Sequence, residues 1–282
     1  MYVTPDEARS DLFLSGAVYV FGPLFLRVLL GVVPVAALPG ARPVLQVAPP
    51  LVVTVVVPAL LMRYRRESLA DYGLGAAGAP ALSGGLLVAA PIVVAAAAAG
   101  FFAADRYPLP LLAAPRLPML VLAQLARWLG LAALAVYVTV KARDAFAGQP
   151  QYLRPAMVEV GRVVGAVAGV AAVLLAVAQA SVMPLILPLG VTGAFLVALR
   201  RLNPATLTSR PTLLTPTVLL ALGPFTLSFE AVAFVQSVWV AALSAGVGLV
   251  IGALQEARRS PLGAVALGVV VGLFTLLPAG PV

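Results

Sequence analysis

The sequence predicts an all-α fold, a polytopic transmembrane helical bundle of eight to nine spans forming a single domain over residues 1–282, and three observations predict it. The first is composition: 62% of the chain is apolar or aromatic and only 10% is charged. Soluble domains run at roughly 45–50% apolar, glycine included, and about 25% charged, and a water-soluble globule of this size could not cover so much apolar surface. The second is that apolar runs close to the roughly 20 helical residues needed to cross a bilayer core recur along the whole chain. The third is that Arg and Lys alternate between rich and poor loops, as the positive-inside rule requires. Together these exclude a DNA-binding domain, a soluble enzyme and a disordered chain. The net charge of +8 then reads as basic loops at an anionic cytoplasmic face, with membrane lipid rather than nucleic acid as the partner.

The elements follow in order. Met1–Asp11 carries Asp6, Glu7 and Asp11 against Arg9 and so lacks the basic start of a secretory signal. Thr4-Pro5-Asp6-Glu7 reads as an N-cap, a proline at the first helical position and an acidic first turn. The first helix therefore starts before the membrane and runs into it. Spans are expected near 12–38, 44–62, 82–103, 117–140, 158–179, 184–199, 217–235, 237–254 and 262–279. The segment 184–199 is short and opens on Pro184-Leu-Ile-Leu-Pro188, the pattern of a re-entrant or a spanning helix.

Loop charge separates these alternatives. One side collects Arg9, Arg63, Arg65, Arg66, Lys141, Arg143, Arg154, Arg200, Arg201, Arg210, Arg258 and Arg259, and the other only Arg42, Arg106 and Arg116. That 12 to 3 split fits nine crossings, with the N-terminus in the cytoplasm and the C-terminus outside the cell membrane. Were 184–199 not to cross, the Arg200–Arg210 loop would fall on the wrong side. The basic residues are all Arg except Lys141, a bias from which no function follows.

The chain has neither Cys nor His. Disulfides, thiol nucleophiles, haem ligation by His, the usual zinc sites and every Ser-His or Cys-His pair are excluded, and no metal or cofactor is expected. Asp71 and Asp105 lie in loops, so the paired intramembrane acids of an aspartyl protease are missing, and Lys141, the one Lys base a serine protease could use, lies at a span end on a charged loop. Small residues recur every four positions at Gly161, Gly165 and Gly169, at Gly248 with Gly252, and at Gly268 with Gly272. Such rows let helix backbones approach in lipid, within one chain or, through the first row, in a homodimer or against a partner helix.

Two loop sequences carry a resemblance. Arg63-Tyr-Arg-Arg-Glu-Ser-Leu-Ala-Asp-Tyr-Gly-Leu-Gly75, after the second span, is similar to the basic "RRxSLADLGL" loop of the CPBP family, the CAAX-protease and bacteriocin-processing intramembrane proteins. Gly248-Leu-Val-Ile-Gly252, then Gln255-Glu-Ala-Arg-Arg-Ser260 and the last apolar helix resemble that family's closing pattern of GxxxG, a basic turn with Ser, and a helix bearing HxxxN. The likeness covers about residues 45–275 and implies an intramembrane-protease fold. Family members that are active use a Glu-Glu-x-x-x-Arg helix, an FxxxH helix and the HxxxN helix. Carried over by position, these residues fall on Leu187 and Pro188 for the two acids, Thr192 for the Arg, Phe229 for the first His, and Gly268 and Gly272 for the closing pair. None can do the chemistry, so the resemblance implies a pseudoenzyme with no catalytic residues.

Charges inside spans are costly and default to functional candidates. They are Arg27, Arg127 and Glu230, with Gln124, Gln179 and Gln236 able to join them, while Glu159 and Arg162 share one helix face near the start of the fifth span. Either Glu230 neutralises Arg127 or Arg27 inside the bundle, or the three line a polar cavity able to hold a carboxylate, a lipid head group or a proton. The expected function is a catalytically inactive CPBP-like membrane protein with a binding, scaffolding or accessory role toward a lipid, a prenyl chain or a partner transmembrane helix. The alternatives are a small-solute or proton-coupled transporter using Glu230, Arg27 and Arg127, and an intramembrane endopeptidase of divergent design.

Overall fold

The computed structural model describes residues 3–32, 51–73, 79–104, 117–147, 151–201, 207–208, 210–222, 231–258 and 261–274. These form α1 (Pro5–Val32), α2 (Val52–Tyr64), α3 (Ala79–Ala104), α4 (Leu117–Ala145), α5 (Leu153–Ala178), α6 (Met183–Arg201), α7 (Arg210–Leu222), α8 (Ala231–Arg258) and α9 (Leu262–Phe274). A 3-10 turn, Leu69–Tyr72, follows α2. The one departure from an all-helical chain among the described residues is a two-residue antiparallel pairing between loops, Gln151 with Thr208 and Tyr152 with Leu207. Three helices among the described residues, over Val121–Ala145, Pro155–Ala178 and Ala231–Glu256, are long and apolar enough to cross a membrane.

Local chemistry sets the helix limits. α1 begins at Pro5 because Thr4 and Glu7 close a capping box: the Thr4 backbone N–H donates to Glu7 Oε2 at 2.9 Å and the Glu7 backbone N–H to Thr4 Oγ1 at 3.3 Å. In α2, Pro58 has no N–H to offer the Thr54 carbonyl, and the preceding turn Val52–Val56 widens to π, with the Val57 N–H bonded to the Val52 carbonyl. α6 is one continuous helix through Pro188. The N–H that Pro188 lacks would have served the Pro184 carbonyl, and Trp239 Nε1 from α8 donates to that oxygen at 3.0 Å instead.

One boundary differs from expectation. The sequence places a reversal near 236, between spans 217–235 and 237–254, whereas α7 already ends at Leu222 and Gln236 lies within α8. Gly223-Pro224 stands just after the end of α7, and nothing from Ala231 to Ala245 breaks a helix. Glu230, expected well inside span seven, therefore immediately precedes α8, outside the described residues.

Helix α4 is the hub, packing against α1, α2, α7, α8 and α9, and it is buried continuously from Leu134 through Ala142. Close approaches use small residues. A Cβ on Gly248 would lie 2.9 Å from the Pro216 carbonyl oxygen of α7, one on Gly190 2.5 Å from Ala95 Cβ of α3, one on Gly268 3.0 Å from the Trp128 carbonyl oxygen of α4, and one on Gly161 2.5 Å from the Phe195 ring of α6. Gly85 of α3 and Gly263 of α9 meet backbone to backbone. Gly165 and Gly169, by contrast, have nothing within 4 Å of the Cβ position. They lie on α5, whose apolar stretch is 22% buried against 72% for α8.

Candidate functional site

The first constellation sits at the end of the bundle where α1 begins and α4 ends, and the distinctive loop after α2 builds it. Ser68 caps the 3-10 turn, donating from its backbone N–H to Asp71 Oδ2 at 2.7 Å, and Gly73 ends it in the left-handed region at φ 84°. The Ser68 backbone and hydroxyl hydrogen bonds hold the Asp71 carboxyl below its ordinary range. This turn presents Glu67 and Tyr72 inward. Lys141 Nζ, fully buried on α4, donates to Asp11 Oδ2 of α1 at 2.9 Å and also to Glu67 Oε1. Arg65 donates to Asp11 Oδ1 from Nε at 3.2 Å and Nη2 at 3.1 Å, and from Nη1 to Glu7 Oε1 at 2.8 Å.

Tyr72 completes the network. Its hydroxyl donates to Glu67 Oε2 at 2.7 Å, its ring stacks on Tyr137 of α4 at 5.8 Å and 8°, and its carbonyl accepts from Gln255 Nε2 of α8 at 3.4 Å. Burial, then the bond to Glu67, pushes the phenol well above its usual range and keeps it a donor. The hydrogen bond to Asp11 likewise raises Arg65. Every carboxylate oxygen of Asp11 and Glu67 thus already accepts from a cation or phenol. Among the described residues no group of three or more His, Cys, Asp or Glu could hold a metal ion. This cluster is a polar tie joining α1, the loop and α4, with α8 docked beside it.

The second constellation is a cavity of about 170 Å³ among α3, α4, α6 and α8. Its walls are Ile92, Leu187, Val191, Val240, Leu243 and Val247, and its polar members are Arg127, Trp128, Trp239 and Ser244. The chain's two tryptophans are both here. Trp239 has committed its indole N–H to Pro184, and Arg127 is the one charged residue among those lining the space. Arg127 lies fourteen residues before Lys141 on the same helix, or about 21 Å along it. A larger groove of about 370 Å³ between α5 and α8, past Val170, Leu174, Phe234 and Val238, has apolar walls only.

The structure separates the residues singled out in the sequence. Leu187 lines the cavity beside Arg127, and Gly268 packs against the Trp128 backbone at that cavity's edge, with Ala132 Cβ 3.0 Å from its Cβ position. Pro188 is half-buried within α6, Thr192 is exposed on it, and Gly272 belongs to α9. Phe229, Glu230 and the side chains of Arg27 and Gln124 lie outside the described residues. Gln179, Gln236, Glu159 and Arg162 are all exposed. Lys141, expected at a span end on a charged loop, is instead wholly buried within α4; two carboxylates from distant segments draw it in. Asp11 and Glu67 are the functional-site residues that local reading misses. The one available signal is the lone Lys in a chain that otherwise uses Arg. No protein-family model, curated protein or solved structure matches this chain.

Proposed function

We propose that this chain is a non-catalytic, nine-crossing protein of the cell membrane, with a CPBP-like fold and its N-terminus in the cytoplasm, that holds the end of a lipid or prenyl chain in the cavity beside Leu187. The observation that carries the reading is the nature of that space: where the resemblance would put the first acid of a peptidase, Leu187 forms an apolar wall, and the Gly268 position is closed against α4. The volume is close to that of an engineered apolar cavity of roughly 150 Å³ that stays dry and takes up benzene. It therefore suits one chain end rather than a whole two-chain lipid.

Native mass spectrometry of the protein released from mild detergent tests this. The wild type is expected to keep a lipid-sized adduct, and Val191→Phe, which fills the cavity, is expected to lose it. Equal adducts on both proteins would sink the reading. Cleavage of a transmembrane peptide by the purified protein, abolished by Leu187→Trp, would overturn its non-catalytic part.

A further inference from the structure

We propose that Arg127 makes this cavity selective for an anionic amphiphile, a single apolar chain whose carboxylate or phosphate lies against the guanidinium. The inference rests on the cavity reading above and adds the charge of the ligand. Arg127 lines a space whose walls are mostly aliphatic and aromatic, and among the described residues no acid forms an ion pair with it. Among the described residues the enclosed cations are paired: Lys141 holds two carboxylates, and Arg65 holds Asp11 and Glu7. Arg127 lines the cavity without an ion pair among the described residues. Its side chain is exposed, so the guanidinium is reachable from outside the bundle.

A guanidinium in a low-dielectric setting gains most from a planar or tetrahedral oxyanion, which it can bind through two parallel N–H donors. The adjoining apolar walls, Leu187, Val191, Leu243 and Val247, then receive the first carbons of the chain, and the small volume excludes a second chain. A neutral amphiphile of equal length would fill the same walls and leave Arg127 without a partner.

The two tryptophans provide the readout, because Trp128 and Trp239 both line this cavity and the chain has no other. A brominated alkyl chain entering it quenches their fluorescence by contact. The full-length protein in mild detergent is titrated with a brominated fatty acid, the brominated alkyl phosphate and the brominated alcohol of the same length. Saturable quenching is expected at concentrations about tenfold lower for the anions than for the alcohol, the size of one charge-assisted contact. Whichever anion saturates first says whether the natural source is a free carboxylate or a lipid phosphate. Arg127→Gln is expected to bring acid and alcohol together, and Arg127→Lys, a second variant against misfolding, to retain part of the gap.

A gap unchanged in Arg127→Gln overturns the proposal. So does a wild-type protein that takes acid and alcohol equally, which would leave the apolar cavity reading standing. If none of the three quenches saturably, the cavity reading itself fails. Glu230→Gln is expected to leave the acid preference where it was; a preference that emerges only in that variant assigns Arg127 to Glu230 and overturns the inference.

Discussion

At the scale of single residues, Lys141 has the largest consequences. Its ammonium is surrounded by two carboxylates away from water, and removing one partner of such a set costs far more than removing the set. Lys141→Met is expected to destabilise the protein by about 3–5 kcal/mol, read as thermal unfolding in detergent, and combining it with Asp11→Asn and Glu67→Gln is expected to recover most of that loss. No recovery in the triple variant would mean that the ion pairs are not the source. Arg66 sits in the left-handed region at φ 58°, where an L side chain is strained. Arg66→Gly should therefore raise stability by up to about 1 kcal/mol, offset in part by the freer unfolded chain. Thr4 holds the Glu7 carboxyl below 4.5, chiefly through its backbone N–H, and Ser68 holds Asp71 below 3.8. Their contribution is present above those values and is lost as pH falls through the lower folded ones. Tyr72, raised above 10.0, acts oppositely: the fold is favoured below that pH and weakened as pH rises past it. A melting temperature that declines on both sides, more steeply in wild type than in Tyr72→Phe on the alkaline side, is the expected profile.

At the scale of elements, prolines and glycines decide what fits against what. Pro188 is compatible by sequence with a re-entrant segment, yet α6 runs straight through it because Trp239 supplies the donor that Pro188 lacks. That compensation comes from a residue 55 positions from Pro184 and leaves no trace in the local pattern. The glycine rows were legible as packing surfaces, but their spacing did not say which members are used. Gly161 receives Phe195, while Gly165 and Gly169 on the same helix face open space. Gly190→Leu, set against Ala95 and the Pro91 carbonyl, is accordingly expected to cost about 2 kcal/mol or more, on the order of other overpacked contacts, and Gly165→Leu to change unfolding by roughly 0.5 kcal/mol or less. Comparable losses in the two variants would contradict that difference.

At the scale of the whole molecule, composition alone was enough for the membrane class, since no soluble packing could hide 62% apolar residues in this chain. Each described helix also overlaps an expected span, but the α7–α8 boundary was displaced because a smooth apolar run hides where a chain turns until a Gly-Pro break is given its weight. The cavity was half legible: Arg127 and Leu187 were both singled out, and their common neighbour Trp128 was not. The polar tie was illegible because its members come from α1, a loop and α4, and pairing over such distances has no periodicity to read. Crossing number and orientation yield to single cysteines introduced into this Cys-free chain. Labelling by an impermeant thiol reagent from the cytoplasmic side only at Ser68 and from outside only at Ser181 is the expected pattern, and the reverse would invert the topology.

The bond between Lys141 and Asp11 joins residues 130 positions apart. At roughly 5–20 residues per second, a ribosome needs about ten seconds to connect them. Through that interval α1 has emerged with Asp11 still lacking the Lys141 amine, and the earlier partner Arg65, 54 positions away, is the cation it can meet first. A chain truncated before Lys141 should therefore keep only the Arg65 pairs of Asp11 and Glu7 and hold its first helix less firmly than the full chain.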